Sequence, residues 1–75
     1  MNSSLIHPRE VFKDAVKNSA NSIVLVHNHP GGEAKASRED LIVTKQIYEA
    51  GKMLDITLST HLIIADDEWT TVDIE

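Results

Sequence analysis

No cysteine occurs among the 75 residues. Disulfide staples, thiolate zinc sites and a cysteine nucleophile are all excluded by that one absence. No apolar run approaches the ~18 residues that a membrane-crossing helix needs, and the chain does not open with the basic-then-apolar pattern of a secretory signal. A soluble cytoplasmic protein with no membrane partner is the expectation. Internal repeats and low-complexity tracts are also lacking. What is present is ordinary globular composition, 41% hydrophobic and 25% charged, so wholesale disorder is not expected. A chain of this length forms one small domain, and a domain of about 60 residues buries only ~60% of the surface its unfolded chain exposes. Without a disulfide, such a domain needs a metal, a partner chain or a very good core.

A basic stripe is missing as well. The net charge is −5 and it is unevenly spread. Residues 1–36 carry Arg9, Lys13, Lys17 and Lys35 against Glu10, Asp14 and Glu33. Residues 55–75 hold Asp55, Asp66, Asp67, Glu68, Asp73 and Glu75 with no Lys or Arg. Lys and Arg contacts to phosphate supply most non-specific nucleic-acid affinity, and an acidic third of the chain repels a phosphate backbone. Direct nucleic-acid binding is therefore not expected.

The pattern along the chain predicts helix, strand, helix, strand, strand. His7-Pro8-Arg9-Glu10 opens a helix, because Pro is favoured at the first helical position. Val11, Phe12, Ala15 and Val16 share one face of it, and the polar run Asn18–Asn21 closes it. Ile23-Val24-Leu25-Val26 is a continuous apolar run, predicting a strand buried on both faces. Pro30, Gly31 and Gly32 then end the ladder and permit a tight turn. Ser37-Arg38-Glu39-Asp40 precedes a second helix, with Val43, Ile47, Ala50 and Leu54 on its apolar stripe. Gly51 inside that helix costs about 1 kcal/mol relative to Ala, which suggests a close approach there. Thr57–Ala65 reads as a second strand. Asp66-Asp67 is a turn, and Glu68–Ile74 is a third strand, with Trp69 as a half-buried anchor. A strand–helix–strand crossover follows if the first two strands are parallel neighbours. The class is mixed α/β.

The informative stretch is His27-x-His29, seven residues, then Ser37-x-x-Asp40. Residues two apart in an extended chain point to the same side. His27 and His29 can thus offer two imidazoles to one ion at a strand end, and Asp40 returns in the first turn of the next helix. Two imidazoles and a carboxylate suit a divalent transition metal, zinc first, and three protein ligands leave a fourth position open. A second reading needs no metal. Ser37 with Asp40 is also a capping box, in which the acid faces its own backbone rather than the histidines. His61 reads as a core or edge histidine rather than a fourth ligand, and His7 belongs to the helix entrance.

His27-Asn28-His29-Pro30 followed by Ser37-Arg38-Glu39-Asp40 resembles the JAMM metalloprotease motif of JAB/MPN domains, most closely in the bacterial RadC family, historically named as DNA repair proteins. Asn2-x-Ser4-x-x-His7-Pro8-Arg9-Glu10, Ala50-Gly51-Lys52 and His61-Leu62-Ile63-Ile64 resemble further family segments. The likeness implies that residues 1–75 form a single partial JAB/MPN domain, related to the three-layer cytidine-deaminase-like sandwich. It implies Zn2+ held by His27, His29 and Asp40. It also implies that the Ser37 hydroxyl stabilises the oxyanion formed when metal-bound water attacks an amide carbonyl, peptide or isopeptide amides being the family's usual substrates.

The pattern departs from the family in three places. The family's general base is a glutamate on a strand upstream of this segment, and Glu10, Glu33 and Glu39 do not sit at its position. Lys35-Ala36 stand where the family carries a proline before the serine, so a looser loop is expected. Thr60 stands where an aspartate usually precedes the later histidine. Two functions follow as alternatives: a zinc metallopeptidase-like hydrolase, or a non-catalytic binding or regulatory module that lacks the base. A third function, an HNH endonuclease, is not expected, because that name refers to residues dispersed along a ββα element and not to an adjacent His-Asn-His. A sheet without its upstream strands exposes an edge, so self-association through that edge is expected.

Overall fold

The computed structural model describes residues 6–74, and Asn2 and Ser4 lie outside the described residues. Helix α1 spans Pro8–Lys17. Pro8 needs no hydrogen bond at the first helical position, and the His7 carbonyl accepts the amides of Glu10 and Val11 at 3.0 and 3.2 Å. At the other end the Asn18 side chain donates back to the Asp14 carbonyl at 2.8 Å. Phe12 and Ala15 are the buried residues of α1. Val16, expected on the same face, is exposed instead.

Strand β1 is Ser22–Asn28, helix α2 is Arg38–Leu54, strand β2 is Thr57–Ala65 and strand β3 is Glu68–Thr71. The sheet order is β1-β2-β3, with β1 parallel to β2 and β2 antiparallel to β3. The mixed α/β class and the element order are as the sequence predicts. α2 is the crossover between the parallel pair, since parallel neighbours need a long connection. Phe12 of α1, Ile47 of α2, Leu25 of β1, and Ile56 and Leu58 pack into one core cluster. Both helices therefore cover one face of the sheet. The described residues supply two layers, helices over sheet.

Three expectations about packing are corrected. β1 is buried on one face only: Leu25 is buried, while Val24 and Val26 are 59% and 60% exposed. A continuous apolar run cannot report which face a neighbouring layer covers. The buried stripe of α2 is Asp40, Thr44, Ile47 and Gly51, rather than Val43, Ile47, Ala50 and Leu54. Leu54 is half exposed, and two polar residues take the inward positions. Trp69 is 68% exposed, not an anchor. It pairs with Ile64 across the short hairpin, and β3 ends at Thr71 rather than Ile74.

Two local features set the register. Gly51 lies where a Cβ would collide with the carbonyl oxygen of Ile56 and touch the Phe12 ring. The α2–β2 turn closes there: Asp55 adopts a left-handed φ of 58°, and the Ile56 amide donates to the Gly51 carbonyl at 2.8 Å. The second feature is a bulge. Ile23 pairs with Leu58, but Val24 pairs with Thr60, so β2 carries one extra residue. A bulge resets the alternation of side chains between faces. Leu58, His61, Ile63 and Ala65 are consequently the buried positions of β2, and His61 turns toward the helices.

Candidate metal centre

The site forms where β1 ends and α2 begins. β1 pairs with β2 up to Asn28, and the His29 amide extends the ladder to the Ile64 carbonyl at 2.8 Å. Both histidines are thus on regular extended backbone, two apart, and half buried on the helix side. The chain then turns: Gly31 takes a left-handed φ of 71°, a conformation that favours glycine, and the Gly32 amide donates to the His29 carbonyl at 3.1 Å.

Ser37 caps α2. Its hydroxyl oxygen accepts the Asp40 amide at 3.1 Å, and the Ser37 amide donates to Asp40 Oδ2 at 2.7 Å. That is the full reciprocal capping box. The same carboxylate also faces the histidines. Asp40 Oδ1 lies 2.7 Å from His27 Nδ1, and Oδ2 lies 3.0 Å from His29 Nε2. The opposition between capping and ligation expected from the sequence does not hold, because one carboxylate at the third helical position has two oxygens and reaches both ways. One ligand atom each from His27, His29 and Asp40 falls within 4.8 Å of the others.

Proton counting shows what this arrangement asks for. His29 Nδ1 is 3.2 Å from the Glu33 carbonyl oxygen. A carbonyl only accepts, so Nδ1 carries a hydrogen, and Nε2 faces the site either as the lone pair of a neutral ring or as the second N–H of an imidazolium. That nitrogen lies 3.0 Å from a carboxylate oxygen. The contact is favourable with a cation between the two atoms, either a proton or a metal ion. Holding one ring nitrogen by a backbone carbonyl while the other faces the site is also how metal-binding histidines are oriented. At His27, Nδ1 approaches Asp40 closely but out of line for a hydrogen bond, and both ring nitrogens are buried without a partner among the described residues. Buried polar atoms are nearly always satisfied. Two imidazoles and a carboxylate with orphaned donor atoms fit a zinc-type ion.

Asp40 is only 2% exposed. Burial pushes its carboxyl up, but the Ser37 amide, the Ser37 side chain and the two imidazoles outweigh burial and hold it below the ordinary carboxylate range. It is therefore a buried anion, and buried anions require compensation.

His61 does not join the ligand group. It is fully buried, its Nδ1 is 2.6 Å from Thr44 Oγ1, and its ring lies parallel to that of His27 at 6.2 Å between centroids. Thr44 escaped the sequence reading. Its signal was there, since residues four apart share a helix face and Thr44 is one turn beyond Asp40. Ser37 stands at the rim of the site, half buried. Among the described residues the ligand group includes no glutamate. No helix among the described residues is long and apolar enough to cross a membrane.

A family model described as a RadC-like JAB domain matches residues 1–74. A UPF0758 protein of Desulforamulus reducens is 49% identical over 72 residues, which are 96% of this chain and 32% of that protein. UPF0758 proteins of Geobacillus sp. (strain WCH70) and of Clostridium perfringens are 51% and 50% identical over the same shares of each chain. The chain spans about a third of the length of these curated relatives.

Proposed function

The chain belongs to the RadC-like JAB domain family, and we propose that it forms the metal-binding part of a zinc-dependent, metallopeptidase-like hydrolase acting on peptide or isopeptide amides. The observation that carries this reading is the convergence of two imidazoles and a buried carboxylate at Asp40. His27, His29 and Asp40 would hold the ion. Zinc at such a site lowers the pKa of a bound water to about 7 and polarises a carbonyl. The chain's own residues do the positioning. Glu33 fixes the His29 ring through its carbonyl, and the Ser37 amide fixes the carboxylate. Ser37 Oγ accepts a hydrogen bond from the Asp40 amide, and its hydroxyl proton, which also favours the Asp40 carboxylate, would turn to an oxyanion formed at the rim of the site.

A second reading has a specific observation in its favour. The ligand group contains no glutamate among the described residues, and general-base help is worth roughly 10²- to 10⁴-fold in rate. A module that holds zinc and binds a partner without hydrolysing it would show the same three ligands. Direct nucleic-acid binding is no part of either reading, because the charge distribution opposes it.

Melting curves with and without zinc test the metal. Zinc should stabilise the fold by ~2.7 kcal/mol at a hundredfold excess over Kd, and His27→Ala and Asp40→Ala should abolish the shift. A wild-type melting temperature that ignores zinc overturns the metal reading. Turnover of peptide and isopeptide amides by the zinc-loaded chain then separates the hydrolase from the binding module.

A further inference from the structure

Asp40 can serve as a ligand only if the first turn of α2 is held at a fixed height over β1, and the capping box does not provide that. It ties Asp40 to its own helix. The tie between helix and sheet lies one turn further along. Thr44 is 1% exposed and His61 is fully buried, so their polar atoms have no access to bulk water. Thr44 Oγ1 is 2.6 Å from the Asp40 carbonyl oxygen and 2.6 Å from His61 Nδ1.

A threonine hydroxyl has one proton, and a carbonyl oxygen can only accept. The proton therefore goes to Asp40, and His61 must supply the second bond. The chain of donors runs from His61 Nδ1–H to Thr44 Oγ1, and from Thr44 Oγ1–H to the Asp40 carbonyl. This fixes His61 as the Nδ1–H tautomer. His61 Nε2 is left as a buried lone pair, without a hydrogen-bond partner among the described residues. The bulge that turns His61 inward makes this link possible. Leu25 pairs with His61 and His27 with Ile63, so His61 sits one step below His27 on the same face, its ring 14° from parallel.

We infer that Thr44 and His61 are positioning residues for the metal centre, joining β2 to the Asp40 turn of α2 through His61 Nδ1–H, the Thr44 hydroxyl and the Asp40 carbonyl. His61 lies outside the candidate ligand group, and Thr44 reaches Asp40 through its backbone carbonyl. This inference rests on the metal reading, in which Asp40 is a ligand. Partners of this kind, one shell removed from a metal, typically change its affinity by roughly 10- to 100-fold when lost.

Zinc affinity of the chain, measured by chelator competition, is compared across the wild type, Thr44→Val and Thr44→Ser, with the His61 tautomer read by nitrogen NMR on the metal-free wild type. The expected result is an Nδ1–H tautomer, zinc affinity lowered roughly 10- to 100-fold in Thr44→Val, and recovery in Thr44→Ser, which keeps the hydroxyl. Wild-type uptake matched by Thr44→Val overturns the positioning role alone. An Nε2–H tautomer also overturns it, and decides the matter without zinc if Thr44→Val fails to fold. A wild type that takes up no zinc overturns the metal reading and this inference together.

Discussion

The Ser37 amide donates to Asp40 Oδ2 at 2.7 Å while the Asp40 amide donates back to Ser37 Oγ at 3.1 Å. The pair opens α2 and at the same time aims a buried carboxylate at two histidines. A helix start and a candidate metal centre are thus one construction, and the two roles can be separated because different atoms of Ser37 serve them.

Ser37→Ala removes the hydroxyl and spares the amide. The N-cap loss should destabilise the metal-free chain by about 1 kcal/mol. Zinc should still bind, since the amide bond to Asp40 remains. Any amide hydrolysis should fall by roughly 10²- to 10³-fold, the usual cost of an oxyanion donor. Urea unfolding, zinc titration and turnover read the three effects separately, and unchanged turnover would remove Ser37 from the chemistry.

Stability should fall with pH below the ordinary histidine value. Burial pushes the His61 imidazole down from 6.5, the Asp40 charge partly opposing and the His27 and His29 rings adding to it. The unfolded chain then takes up a proton more readily than the folded one. Stability is complete above about 6.5 and is lost as pH falls toward the folded value, by up to about 1.4 kcal/mol per pH unit. Asp40, held below 3.8, acts in the same direction at lower pH: its contribution is present above that value and lost as pH falls through the folded one. Metal-free unfolding at pH 5.5 and 7.5 checks the histidine window, and equal stability at both would contradict it.

Gly51→Ala should destabilise the chain despite the helix propensity of alanine. Propensity favours Ala by about 1 kcal/mol, but the added methyl meets the Ile56 carbonyl oxygen, which is backbone and cannot swing away. Overpacking of this kind costs roughly 1–3 kcal/mol. A midpoint of unfolding at or above the wild type would show that the α2–β2 turn yields.

Sequence pattern located this close approach, and it also gave both helices and the limits of β2. The reasons are local: Pro8 starts α1, Ser37 and Asp40 start α2, and Asp66-Asp67 must turn. What it missed depends on neighbours. Val24 and Val26 are as apolar as Leu25, and only the position of the helices decides that Leu25 is covered. The inward stripe of α2 includes Asp40 and Thr44 because polar partners wait for them in β1 and β2. No hydrophobic period reports that. The extra residue in β2 near Ser59 reverses the alternation that would have turned His61 away. The convergence of His27, His29 and Asp40 was legible because His-x-His on a strand and an acid at a helix start are fixed by backbone geometry alone.

β1 forms one edge of the sheet among the described residues, and Val24 and Val26 beside that edge are exposed. Unpaired strand edges template pairing with another chain. Sedimentation velocity should show self-association at high micromolar concentration, and a lysine at Val24 should suppress it. A single monomeric species throughout the range would contradict the prediction.

Diffraction from zinc-loaded crystals, with anomalous differences collected at the zinc absorption edge, tests the metal centre most directly. The account predicts one strong anomalous peak per chain, within bonding distance of His27, His29 and Asp40 together. An empty site in zinc-saturated crystals, or a peak held by other residues, would contradict it.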